Sequence, residues 1–229
     1  SAQKYTKNAH IAYKKLFKNF PKSSYTARAL LRDGLLFYND NENTKALKNY
    51  QEIVAKYPNS SEAKEAVTNA KNVYVDLGTV DEYAIWVKGI NFVNITDAEL
   101  DNTTYESAEN KFLANDIPKA IEGFKKYIQA FPEGLHALQA NFYLAQLLVK
   151  TNLEEEAIAN YQYVLALPQS EFSEEALNKL SQILLEKEQW ATAIPLLERL
   201  EQEANLPLNI VYAQSNLMKG YYQSQEYNK

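Results

Sequence analysis

The sequence predicts an all-α fold, a superhelical solenoid of stacked antiparallel helical hairpins with about six repeats of ~37 residues. Three recurrences predict it. Ala9, Ala46, Ala120, Ala157 and Ala193 stand 37, 74, 37 and 36 residues apart, and the missing step falls on Tyr83. An aromatic residue follows four positions later in Tyr13, Tyr50, Phe124 and Tyr161. A proline follows twelve positions after the alanine in Pro21, Pro58 and Pro132, and eleven after it in Pro168. A sustained beat of this length describes units that cannot bury their apolar faces alone and therefore stack.

Each beat reads as two helices. Leu30, Leu31, Leu35, Phe37 and Tyr38 form one apolar helical stripe. The polar run Asn39-Asp40-Asn41-Glu42-Asn43 ends it, and Ala46, Leu47, Tyr50, Ile53 and Val54 form the second stripe. Pro58 closes that helix because proline cannot donate the next backbone bond. Ser60 or Ser61 then caps the following helix. The same grammar places helix starts near Ser24, Asn43, Ser61, Val80, Asp97, Ile117, Leu135, Leu153, Ser173, Trp190 and Asn209. Thr96 with Glu99 predicts a capping box. Asp116 before Ile117-Pro118 predicts a capped start with proline in the first turn. Pro195 lies about five residues into its helix and predicts a kink or a late start. Residues 89–97 form the longest irregular connection, within what reads as one domain over 1–229.

The alanine marks where two antiparallel helices cross most closely. A larger side chain there costs roughly 1–3 kcal/mol. Twelve residues earlier lies a second small seat, holding Gly34, Ala108, Ala145 and Ser181. Lys71 breaks that seat in the same unit in which Tyr83 replaces the alanine, so this unit is expected to pack with a different crossing geometry. The chain opens just before Ala9, in a second helix, and closes where the next alanine falls due. Tyr221, Tyr222 and Tyr227 read as uncapped, which predicts a piece of a longer array or an end that docks on a partner.

Composition narrows the function classes. The chain has no cysteine, which excludes disulfides, thiolate metal sites and thiol nucleophiles. No run of about 18 apolar residues occurs, so no transmembrane helix is predicted. Residues 1–32 hold eight bases (Lys4, Lys7, Lys14, Lys15, Lys18, Lys22, Arg28, Arg32) and no acid, whereas the remainder holds 16 bases against 29 acids. The basic end suits an anionic partner or membrane surface. The acidic bulk argues against nucleic acid, whose phosphates dominate such affinities. The two histidines, His10 and His136, lie in different units, and no HExxH, GxSxG or phosphate-loop motif is present. Glu154-Glu155-Glu156 reads as a helix first turn, where the dipole favours negative charge. No catalytic residue, metal or cofactor is called, although a carboxylate pair is not excluded by sequence.

The order Gly34, Phe37, Ala46, Tyr50 and Pro58 resembles the small–aromatic–alanine–aromatic–proline pattern of the tetratricopeptide repeat. The period of 37 exceeds that family's usual 34. The segments FPKSSYTARALL, YPNSSEAKEAV and FPEGLHALQANFYLAQ look like the subset found in bacterial envelope proteins, of the Tol–Pal coordinator and outer-membrane assembly lipoprotein kind. The resemblance implies a right-handed superhelix whose first helices line a concave groove. It implies a periplasmic or cell-envelope setting, with the cytoplasm as the alternative. Carried over position by position, the groove holds Arg28, Leu31 and Leu35, then Asn72, then Tyr105 and Glu109, then Phe142 and Gln146, then Asn178 and Gln182. Aromatic, Arg and amide side chains suit a protein or peptide partner. A carboxylate clamp of the kind some relatives carry is incomplete, because its places hold Leu31, Leu35, Thr68 and Asn72. The readings are a non-catalytic interaction scaffold, a peptide-sensing regulatory module, or a glycan subsite built from Tyr105, Glu109 and Phe142.

Overall fold

The computed structural model describes residues 2–23 and 25–223, and among them the only regular elements are twelve α-helices. They fall into two compact units, residues 1–114 and 115–229. The first contains α1 (Ala2–Asn19), α2 (Tyr25–Asn39), α3 (Asn43–Lys56), α4 (Ser61–Leu77), α5 (Val80–Lys88) and α6 (Asp97–Leu113). The second contains α7 (Ile117–Ala130), α8 (Ala137–Lys150), α9 (Glu154–Ala166), α10 (Ser173–Glu186), α11 (Trp190–Glu203) and α12 (Pro207–Gln223). Within each unit every helix packs on the next, as stacked antiparallel hairpins do. Ser24 and Tyr227 lie outside the described residues.

The caps explain why the helices start where they do. The Ser60 hydroxyl accepts from the Ala63 N–H at 3.1 Å, and Thr96 with Glu99 forms the reciprocal capping box. Asp116 accepts from the Lys119 N–H, with Pro118 in the first turn of α7. Pro195 does not delay α11, which begins at Trp190 and runs through it. The cost is the helical bond that a residue 195 N–H would have given to the Ala191 carbonyl. No helix crosses residues 89–96.

A second beat lies in the turns, and composition hides it. Asn41, Asn115, Asn152 and Glu188 have φ of 59°, 55°, 59° and 59°, and Gly78 has φ of 78°. These positions recur at steps of 37, 37, 37 and 36 residues. In four of the turns the residue after the left-handed one donates its N–H back five residues: Glu42 to Phe37, Thr79 to Tyr74, Leu153 to Leu148 and Gln189 to Leu184. This closes the first helix of each hairpin in a Schellman arrangement. Asn and Gly tolerate the left-handed region; Glu does not.

The core sits between the paired helices. Ala46, Ala120, Ala157 and Ala193 are wholly buried, as are Tyr50, Phe124 and Tyr161. Ala9 and Tyr13 in α1 are only half-buried. The close approach is literal at Gly34, where an added Cβ would stand 2.6 Å from Cε1 of Tyr50. The unit carrying Lys71 and Tyr83 solves the same problem with rings. Tyr83 is buried, with its ring 5.8 Å from Tyr74 and 6.3 Å from Trp86, and α5 is only nine residues long.

Two predictions follow from these contacts. Ala at position 34 gains about 1 kcal/mol of helix propensity but forces a buried ring to move, at roughly 1–3 kcal/mol. Gly34→Ala is therefore expected to lower the urea midpoint. Gly220→Ala is expected to leave it unchanged or raise it, because the nearest atoms there belong to the Ile194 side chain at 3.1 Å, which can yield. Separately, Glu188→Gly relieves the left-handed strain and should stabilise the chain by about 1 kcal/mol, read as a higher melting temperature.

Candidate functional site

The ten positions of the expected groove sort by burial. Leu31, Tyr105 and Phe142 are buried, at 3%, 6% and 4% exposure. Leu35, Glu109, Gln146, Asn178 and Gln182 are half-buried, and Arg28 and Asn72 are exposed. The apolar members are thus the more buried and the polar members the more exposed. Phe142 packs on Phe172 with ring centroids 4.5 Å apart and meets Tyr143 and Tyr161 at 5.8 and 6.4 Å. The Tyr105 hydroxyl donates to Glu109 Oε1 at 3.1 Å, one turn along α6. Arg28 through Glu109 lie in the first unit, and Phe142 through Gln182 in the second.

In the first unit, polar side chains stitch successive first helices together. Arg28 Nε on α2 lies 3.4 Å from Glu62 Oε1 on α4. At the far end of α2, Tyr38 donates to Asp76 of α4. Burial and then that carboxylate push the Tyr38 hydroxyl up to about 12. Lys111 of α6 donates to the Asp76 carbonyl. Below this layer, Asp33 is buried and accepts from Asn49 Nδ2 at 2.9 Å while His10 Nδ1 lies 2.5 Å away. His10 thus binds α1 to α2, and it stacks on Phe37 at 4.1 Å.

The second unit carries an amide ladder. Gln182 Nε2 donates to Asn178 Oδ1 at 2.6 Å, and Asn178 Nδ2 donates to Asn209 Oδ1 at 2.8 Å. Asn209 Nδ2 donates in turn to Glu174 Oε1 at 2.7 Å. Gln146 Nε2 of α8 reaches Glu175 Oε1 of α10 at 2.8 Å. Glu174 also accepts the backbone N–H groups of Asn205 and Leu206, at 2.9 and 3.0 Å, and so fastens the start of α12 to α10. The groove reading named Gln146, Asn178 and Gln182 but missed Glu174, Glu175, Asn209 and Glu62. Their recurrence 29–35 residues from a groove partner was the available signal.

Among the described residues no group of three or more His, Cys, Asp or Glu could hold a metal ion. No described helix is long and apolar enough to cross a membrane. The His136 backbone N–H donates to the Tyr127 hydroxyl at 2.9 Å. Glu154, Glu155 and Glu156 occupy the first turn of α9, with Lys125 on Glu156 at 2.6 Å and Lys187 on Glu155.

The comparisons with known proteins meet this geometry at one hairpin. Residues 28–60, spanning most of α2 and all of α3, match the tetratricopeptide repeat family model. This hairpin is similar to a tetratricopeptide repeat. The repeat residues quoted from sequence, Gly34 to Pro58, all lie inside the match. The P58(IPK) TPR domain is similar at 15% identity, covering 97% of this chain and 67% of that one, with a TM-score of 0.41. YrrB, titled a TPR protein with an unusual peptide-binding site, is similar at 15% identity over 89% of this chain and 98% of its own, TM-score 0.41. A tetratricopeptide repeat protein from Parabacteroides merdae is similar at 16% identity over 95% and 79%, TM-score 0.38. The comparison with curated proteins gave no match.

Glu174 yields a pH prediction. Burial works to raise its carboxyl, but the bonds from Asn205, Asn209 and Leu206 outweigh that and hold it below the ordinary 4.5. A depressed folded value means that the carboxylate stabilises the fold fully above the unfolded value and loses that contribution as pH falls through the folded one. Glu174→Gln should lower the melting temperature at neutral pH, by roughly 1 kcal/mol or more of lost charge-assisted bonding. The gap between variant and wild type should close as the pH is taken below about 4.

Proposed function

We propose that the chain is a non-catalytic protein-interaction scaffold that binds an extended peptide segment along the faces of its first helices. The amide ladder of Gln182, Asn178 and Asn209 carries this reading. Each amide spends part of its hydrogen-bonding capacity on a neighbour, which holds it in place, and keeps a donor or acceptor for a ligand. A peptide backbone offers the complementary N–H and C=O groups. Side chains already held by neighbours lose little entropy on binding. Arg28, Asn72 and Glu109 supply the corresponding polar edge in the first unit, and Gln146 extends the second. Leu31, Tyr105 and Phe142 act as the floor that keeps the polar layer in position. The resemblance of FPKSSYTARALL and its counterparts to envelope repeats supports a bacterial cell-envelope role, in the assembly of envelope proteins.

The test begins with a displayed random-peptide library selected on the 229-residue chain. Binding of an enriched peptide is then measured by calorimetry. Gln182 begins the amide ladder and Gln146 pairs with Glu175, so Gln182→Ala and Gln146→Ala should each weaken binding about tenfold, the loss of one or two hydrogen bonds. Melting temperature should hardly move. Equal affinity for both variants, or no enrichment at all, would overturn the assignment.

A further inference from the structure

The N-terminal helix carries a surface that hairpin packing does not use. Lys7, Ile11, Lys14, Lys15 and Lys18 stand at i, i+4, i+7, i+8 and i+11, which is one face of a helix. All five are exposed, Ile11 at 46%. Other positions of α1 are spent on packing, with His10, Leu16 and Phe17 half-buried. Among the described residues none of these four lysines has an ion-pair partner, unlike Lys45, Lys56, Lys119, Lys125, Lys126 and Lys187 elsewhere. The turn that ends α1 adds Lys22 and two exposed aromatic residues, Phe20 at 63% and Tyr25 at 67%.

We infer that this lysine face of α1 docks on an anionic lipid bilayer. The positive charge is a stripe about 16 Å long at 1.5 Å per residue. No acid occurs in the first 32 residues to offset it. Lysine is a point charge suited to a diffuse negative surface, whereas planar recognition of a particular phosphate or base edge favours arginine. A lone aliphatic residue, Ile11, inside the stripe adds a shallow apolar contact. The surface is separate from the amide ladder, so either reading can fail alone.

Sedimentation with vesicles of equal parts phosphatidylcholine and phosphatidylglycerol tests the inference, with pure phosphatidylcholine vesicles as the comparison. The 229-residue chain should sediment with the first and not the second, and half-molar salt should release it. Each lysine near such a surface is worth roughly a fivefold factor in partitioning. The triple change Lys14→Glu, Lys15→Glu, Lys18→Glu should therefore reduce binding by at least about a hundredfold. Circular dichroism of the triple variant confirms that the helices remain. Equal binding to neutral vesicles, no binding to anionic ones, or full binding by the triple variant would each overturn the inference. So would duplex DNA binding as tight as the vesicles', because that would show a general polyanion surface.

Discussion

The structure depends on how closely two helices approach within a hairpin. At Gly34 the backbone lies so near the Tyr50 ring that no Cβ fits without movement. The ring is itself wholly buried, so moving it disturbs its neighbours. The alanines at 46, 120, 157 and 193 are buried to the same degree. Close-packed interiors leave no slack for a larger side chain at such seats. Where the seat is lost, at Lys71 and Tyr83, three rings pack together and the second helix shortens to nine residues. The repeat is thus a steric rule first and a sequence pattern second.

Once the hairpins form, the joints between them are polar. Arg28 with Glu62, Tyr38 with Asp76, Gln146 with Glu175, and Asn178 with Asn209 each tie one first helix to the next. Such bonds are directional where the apolar core is not, so they set how one first helix lies beside its neighbour. They also bring the side chains of the candidate binding face into fixed positions. Solvated charges such as the Lys56–Glu52 pair contribute little by comparison.

Much of the fold was legible in the chain because the signals are local. Ser60, Thr96 and Asp116 announce helix starts through bonds made within three residues. Pro58 and Pro132 announce helix ends through a missing donor. The candidate face was legible only as positions. Sequence spacing placed Tyr105 and Phe142 beside Gln146 and Asn178 without distinction. Burial of the first two depends on Glu109, Phe172 and Tyr161, residues between four and thirty positions away. The left-handed beat at Asn41, Gly78, Asn115, Asn152 and Glu188 escaped because its last member is a residue that rarely adopts that conformation.

By itself the sequence determined the all-α repeat, the helix boundaries to within about two residues and the basic character of α1. These rest on periodicity, capping and charge, and each is a property of neighbouring residues. Only the tertiary structure decided which groove positions are floor and which are edge. It alone brought Glu174 to the start of α12 and, among the described residues, left Lys7, Lys14, Lys15 and Lys18 without ion-pair partners. The reason is physical. Burial and pairing are set by what arrives from another helix, and that helix is a turn or a whole repeat away along the chain.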